Sequence, residues 1–473
     1  MDQASFDRIA RTLGAAVTRR AGLGAAFAAA AGLPASFAAA ARRPRPEGPC
    51  GNGSRKDNLC TKDSQCCTGV CKTGLKNKDG KGRCRCVHKG KACKDDKNCC
   101  KGSCVGGFCG GGGVGCDVCL SGCPYSTVQA ALDGVAVGAT IGIDGGTWDE
   151  DLTVSKTVTL TPCGKAVTLR NVTTATRTIT FSPSAPLDTM LTIDSITITT
   201  STPGDGGGIA GPGNLTLRGS AKVKDCAAQG SGGGLDIGDN TNPFTVLITD
   251  SAEVSGNLSQ TEGSGIYIED SAILTLSGNA LVTNNGDGTT DGGGIYMYND
   301  AILVMSGNSV VSNNQGDIGG GVFLYGGSNQ TMTMKDNATV KDNTAFQGGG
   351  IHVDSSLVMQ DSSVISGNTA TSSSGGGGVD VAPVGSMTMS GSASIRSNIS
   401  AANGGGVLLD SASATLSGNA TITLNQAASG PSGGGGGVSG EDRPLFPVAA
   451  LTVTAPATIT GNTPDECGGT VSC

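Results

Sequence analysis

From about residue 124 onward, apolar and polar positions alternate in short bursts separated by polar turns. A glycine run ending on a branched or aliphatic residue recurs at Ile209, Leu235, Ile266, Ile295, Val322, Ile351, Val379, Val407 and Val438, at intervals of 26 to 31 residues. A second alternating burst follows each run, in phrases such as ILTLSGN, ILVMSGN, TMTMKDN and ATLSGN, and then a third, such as ALVTNN, SVVSNN, ATVKDN or ATITLN. Period-2 alternation over so few residues predicts strands, and three strands per unit fit one coil of a parallel β-helix. Leucine-rich repeats of similar length need denser leucine and usually a helical segment, and propeller blades need about 40 residues or more.

The first repeat is preceded by CPYSTVQAALDGVAVGATIGIDGGTWDEDLTVSKTVTLTPCG. Its pattern predicts a short amphipathic helix from Ser126 to Leu132, a strand at Thr140–Ile143, a turn at Gly146-Thr147-Trp148, and strands at Leu152–Val154 and Val158–Leu160. An open stack exposes a row of unpaired backbone groups, so a cap is physically required at this point. The segment resembles the opening of pectate-lyase-like proteins, and the Gly-Gly-Gly-Ile and SGN…N phrases resemble the repeats of polymorphic outer-membrane proteins and related bacterial surface β-helices. These resemblances cover about residues 124–473 and imply an all-β, single-stranded right-handed parallel β-helix over 111–473 with an N-terminal helical cap.

Composition agrees with a thin, ladder-dominated core. Glycine supplies 79 of 473 residues and aromatics only 3%, too few large side chains for a thick apolar interior. The net charge of −7 conceals a division: residues 42–109 carry 17 Lys or Arg against 6 Asp or Glu, whereas 110–473 carry 11 against 31. So opposed a pair of segments predicts separate domains, the basic one open to anionic surfaces or merely solvated.

Residues 1–41 have the character of an export signal and lie outside fold reasoning. A polar stretch ends in Thr18-Arg19-Arg20-Ala21-Gly22-Leu23 and leads into an alanine-rich run closing on the small residues Ala38 to Ala41. It resembles a twin-arginine signal, although Gly22 replaces the usual Phe and Gly24 the usual Lys. No later segment supplies the roughly 18 consecutive apolar residues of a spanning helix, so no membrane span is expected in the mature protein, and its expected location is extracellular or on the cell surface.

Two sets of six cysteines fill residues 42–110. Cys50, Cys60, Cys66, Cys67, Cys71 and Cys84 form the first; Cys86, Cys93, Cys99, Cys100, Cys104 and Cys109 repeat its order, with CTKDSQCCTGVC and CKDDKNCCKGSC as duplicates. Such short, apolar-poor modules need covalent staples, and 15 pairings remain open for each set. Zinc is the weaker alternative, because His88 is the region's one histidine and no repeated pair of Cys-x-x-Cys units occurs. The spacing resembles inhibitor-cystine-knot modules, and that resemblance implies Cys50–Cys67, Cys60–Cys71, Cys66–Cys84, Cys86–Cys100, Cys93–Cys104 and Cys99–Cys109. Cys116, Cys119, Cys123 and Cys163 bracket the start of the repeat domain, and Cys467 and Cys473 are expected as a disulfide at its end. The cysteine total of 19 is odd, and Cys226 is the candidate for a buried free thiol.

Recurrent asparagines come first among the candidate functional residues. Asn279, Asn308, Asn337 and Asn419 mark one turn, and Asn285, Asn314, Asn343, Asn398 and Asn425 another. Asparagine tolerates left-handed turns and bonds to the backbone, so stacked ladders are the expected role. The motifs that polygalacturonase-like hydrolases of this fold carry on successive coils, Asn-Thr-Asp, Asp-Asp and Gly-His-Gly, are missing from the repeats. Pectate lyases of the fold set Ca²⁺-binding acids near a catalytic Arg or Lys, but residues 206–440 hold only Arg218, Lys222, Lys224, Lys335, Lys341 and Arg396, none recurring beside an acid cluster. Asp354, Asp380 and Asp410 could supply paired carboxylates, yet a stacked acidic column would look the same. No catalytic residue, metal ligand or cofactor is assigned.

The strand after each glycine run carries the remaining signal. Its first outward position reads Asp236, Tyr267, Tyr296, Phe323, His352, Asp380, Leu408, and its second Gly238, Glu269, Tyr298, Tyr325, Asp354, Ala382, Asp410. Four of the five tyrosines therefore share one face. Rings spaced by coils, flanked by acids, suit the C–H faces and hydroxyls of sugars, which makes Tyr267, Tyr296, Tyr298, Phe323, Tyr325, His352 and Asp354 the candidate ligand-binding set. The competing expectation is a ring stack that stabilises the sheet or lies under a loop. The functional expectation is adhesion or binding to a polysaccharide or cell-surface polymer, with no nucleic-acid partner. A polysaccharide lyase or hydrolase with an unrecognised site, and a structural spacer without ligand, are the alternatives.

Overall fold

The computed structural model describes residues 116–473 apart from short internal stretches (121, 173–176, 201–206, 239–241, 328, 373–374, 429–433 and 445), and five short strands before residue 116. Two compact units divide the chain, Met1–Cys86 and Val87–Cys473. In the first, Leu59–Cys60, Cys71–Lys72 and Gly82–Cys84 form an antiparallel sheet. In the second, Cys104–Val105 and Phe108–Cys109 form a hairpin ahead of the repeats. The export segment and the pairing of the twelve cysteines from Cys50 to Cys109 lie outside the described residues.

The repeats wind into a right-handed parallel β-helix with three sheets of twelve strands each. Sheet one runs from Leu152–Val154 to Cys467–Gly469, sheet two from Ala139–Ile143 to Ala450–Val453, and sheet three from Gly146–Asp149 to Thr458–Thr460. Every glycine run leads into a strand of sheet one, and the residue ending it, from Ile209 to Val438, is fully buried. Inward positions of sheet two carry a methionine column, Met305, Met334, Met359 and Met389, all at 0% exposure. Flexible thioethers fill the core where aromatic rings are scarce.

The cap is built as required, with one shift of register. The helix spans Val128–Gly134, and Thr127 Oγ1 accepts from the Ala130 amide at 3.1 Å. Glu150 satisfies two more of the free amides, accepting from Val128 N at 2.7 Å and Gln129 N at 2.9 Å. Val128, Ala131 and Leu132 turn onto the core. The expected turn at Gly146-Thr147-Trp148 is instead the first strand of sheet three, Gly146–Asp149. It pairs with Val167–Arg170, because Trp148 supplies an inward position over Leu169. Disulfides Cys116–Cys163 and Cys119–Cys123 tie the capped end, and Cys467–Cys473 forms in the last coil.

A feature beyond three strands per coil also appears. Gln315–Ile318, Thr344–Gln347, Thr369–Ala370, Ile399–Ser400 and Gln426–Ala427 add a five-stranded side sheet just before the glycine runs. At the root of this sheet stands a buried ladder of Asn257, Asn285, Asn314, Asn343, Asn368, Asn398, Asn425 and Asn462. From Asn285 onward each Oδ1 accepts from both the backbone and side-chain amides of the Asn one coil earlier, as in Asn285 N and Nδ2 to Asn314 Oδ1 at 3.0 and 2.9 Å. Glu466 terminates the ladder, accepting from Asn462 Nδ2 at 2.6 Å.

The ladder explains the glycine runs. A Cβ on Gly294 would lie 2.5 Å from Gly321 O and 2.9 Å from Asn314 Nδ2, so a side chain there would collide with the next coil and the ladder. Cys226 holds the ladder position at the start, its amide donating to Asn257 Oδ1 at 3.0 Å. It is the free cysteine among the described residues, fully buried, and burial pushes its thiol far up. We expect Cys226 to resist thiol reagents in the native protein and to react once denatured. Mass mapping of the labelled peptide checks this, and prompt native labelling would contradict it.

Candidate functional site

Sheet one presents its outward columns in the expected register. Tyr267 pairs with Tyr296, Tyr296 with Phe323, Tyr298 with Tyr325, Phe323 with His352, and His352 with Asp380. The rings form one continuous group. Tyr267 stacks on Tyr296 with centroids 5.5 Å apart, and Tyr298 on Tyr325 at 5.9 Å. Phe323 meets Tyr296 edge-on at 5.2 Å and His352 at 4.9 Å.

Exposure divides this group in two. Tyr296 and Phe323 are only 6% and 3% exposed, whereas Tyr325 is 45% exposed, and Tyr267 and Tyr298 are half-buried. Tyr296 and Phe323 of the first column thus form a packed spine, and the open rings are Tyr267 of that column and Tyr298 and Tyr325 of the second. Gly292 and Gly319 show part of the reason. Both have positive φ, and a Cβ on either would stand 2.7 Å from the Cβ of Tyr296 or Phe323, so the glycine bends lie directly against the base of those rings. Burial also pushes the Tyr267 and Tyr296 phenols well above their ordinary value, with nearby Glu269 and Glu262 adding to it. Both phenols stay protonated donors, and Tyr267 Oη donates to Glu269 Oε2 at 3.2 Å.

Beyond Phe323 the face becomes charged. His352 Nδ1 lies 3.1 Å from Asp380 Oδ2 and its Nε2 3.2 Å from Asp354 Oδ1. Burial alone would lower the His352 pKa. The charge of Asp380 and hydrogen bonds to Asp354 and Asp380 outweigh it and hold the imidazole at about 9. One and two coils further, Asp410 pairs with Arg443, through Nε to Oδ1 at 2.8 Å and a second contact from the other guanidinium nitrogen to Oδ2. Burial raises the Asp410 carboxyl, Arg443 opposes the rise, and Asp380 and Glu441 add to it. Together His352, Asp380, Asp410, Glu441 and Arg443 line a cleft of about 220 Å³ beside the side sheet, with Gln347 at its rim.

The structure therefore joins all seven predicted ligand-binding residues, with the ring strip at one end and His352 and Asp354 at the other, next to the cleft. Glu441 and Arg443 were missing from the sequence-based set. Carrying the alternation through Val438 would have found Glu441, which pairs with Asp410. Arg443 comes from a loop after the last glycine run, where no repeat predicts its position. Asp236, at the other end of the first column, is held by Arg177 at 2.7 Å.

A family model described as "Right handed beta helix region" matches residues 168–382, which include the ring strip and His352, Asp354 and Asp380. No curated protein and no solved structure gives a match. Among the described residues no helix is long and apolar enough to cross a membrane.

Proposed function

We propose that this chain is an exported β-helix scaffold that binds a polysaccharide or cell-surface polymer along the outward face of sheet one. The carrying observation is the unbroken run from exposed Tyr325 and stacked Tyr298, through the buried spine of Phe323, to the charged cleft at His352. Aromatic faces take the C–H surfaces of sugar rings, and carboxylates in reach accept their hydroxyls. The stacked coils repeat every 4.8 Å or so, so a chain lying along the helix axis meets Tyr298 and Tyr325 on successive coils. The signal-like residues 1–41 and the acidic repeat surface support an extracellular or surface location, with the basic, knottin-like modules holding the scaffold to anionic polymer.

Tyr325→Ala and Tyr298→Ala are expected to weaken retention on the bound glycan about tenfold each, a loss of ~1.4 kcal/mol, while the unfolding midpoint stays put. Affinity electrophoresis or calorimetry on residues 42–473 reads this. Unchanged retention in both variants would sink the reading.

A second reading has its own support. Asp410, with its carboxyl raised above the ordinary value, and Asp380 line one cleft, an arrangement compatible with general acid–base cleavage of a glycosidic bond. Release of new sugar ends, lost in Asp410→Asn, would favour it.

A further inference from the structure

The cleft at the end of the ring strip has more carboxylates than cations. Asp380, Asp410 and Glu441 line it against only His352 and Arg443, and both cations are already engaged, His352 between Asp354 and Asp380 and Arg443 on Asp410. Asp380 is only 5% exposed, yet it gives just Oδ2 to His352, and Oδ1 has no partner among the described residues. Glu441 accepts from Asn403 Nδ2 through Oε1 at 2.8 Å, and its other oxygen is unpartnered in the same sense. Both oxygens stay accessible from the cleft, where a ligand donor can take the place of solvent.

We infer that the cleft takes a protonated amine carried by the glycan, so the ligand is an amine-bearing polysaccharide rather than a polyuronate. This rests on the proposed glycan-binding face and assigns its substrate class. An ammonium offers three donors and no acceptor, which matches a cleft with free acceptor oxygens and no free cation. A uronate would bring a carboxylate against an uncompensated negative charge, with His352 and Arg443 both occupied. At about 220 Å³ the cleft is smaller than the roughly 300–1,000 Å³ of sites that enclose a whole small molecule. It therefore admits one ring or its pendant group, with the rest of the chain passing over Tyr325 and Tyr298.

The test measures binding of three oligosaccharides to residues 42–473 at mildly acidic pH: glucosamine oligomer, its fully N-acetylated counterpart, and oligogalacturonate. Wild type is compared with Glu441→Gln, Asp380→Asn and Tyr325→Ala. The glucosamine oligomer should bind tightest, and Glu441→Gln should weaken it about tenfold while leaving the acetylated oligomer unchanged. Tyr325→Ala should weaken both. Because Asp380→Asn can disturb His352, Glu441→Gln is the deciding variant, and its unfolding midpoint is recorded alongside. Equal binding of the amine and acetyl oligomers, or an effect of Glu441→Gln on both alike, overturns the amine assignment but keeps the binding face. Binding that appears only with added Ca²⁺ gives the cleft to a metal ion and also overturns it. If no oligosaccharide binds, the binding face itself fails and the amine assignment with it.

Discussion

Replacing Asn314 with Ala should destabilise the β-helix by about 2–5 kcal/mol, whereas Asn308→Ala should change stability by about 0.5 kcal/mol or less. The two residues are six apart and both belong to asparagine columns, but their surroundings differ. Asn314 is fully buried, and its Oδ1 takes both the main-chain and side-chain amides of Asn285. Its own Nδ2 serves Val282 O and Asn343 Oδ1. Truncation strands two donors and a carbonyl in a dry interior, each costing about 1–3 kcal/mol with partial relief from relaxation. Asn308 donates to Asn279 Oδ1 at 3.2 Å in an exposed ladder, where water replaces whatever is lost. Urea midpoints of the two variants give the comparison. Equal effects would mean that the buried amides are not what holds the coils in register.

Raising the pH from about 6.5 to above 9 should cost the protein on the order of 2–3 kcal/mol through His352 alone. The native imidazole titrates at about 9 against an ordinary 6.5, because Asp380 and Asp354 outweigh the burial that would otherwise lower it. A group whose pKa is raised by folding binds its proton more tightly in the native state. Its contribution is therefore complete below the unfolded value and disappears as pH climbs through the folded one. The side chain is 12% exposed, so solvent screens it little. Stability measured across this window should fall in wild type and stay flatter in His352→Gln, which starts lower at pH 6. Parallel profiles for the two proteins would contradict a charged His352 between its carboxylates.

The glycine runs made the coil register legible, because a residue at Gly294 or Gly321 larger than glycine would strike the next coil's carbonyl and the Asn ladder. That steric demand recurs every coil and leaves a visible mark in the sequence. The outward columns followed from the same period: once Ile295 and Val322 point inward, Tyr296 and Phe323 must point out. Alternation assigns a side chain to a face but says nothing about what packs over it. The bends at Gly292 and Gly319 lie against the bases of Tyr296 and Phe323, and the side sheet, with strands of two to four residues, was not foreseen at all. Its segments, QGDI and TAFQ among them, lack the aliphatic alternation that marks the main strands. The cleft was hidden for a related reason, since Arg443 reaches Asp410 from a single non-repeating loop.

The most direct test of the binding face incubates residues 42–473 with a panel of insoluble neutral, amine-bearing and acidic polysaccharides, reading retained protein and newly released sugar ends in the same tubes. Retention without release, strongest on the amine-bearing polymer and lost in the Tyr298→Ala, Tyr325→Ala double variant, is the predicted result. Failure to be retained on any polymer, or release of sugar ends that Asp380→Asn or Asp410→Asn abolishes, would contradict a scaffold whose work is binding.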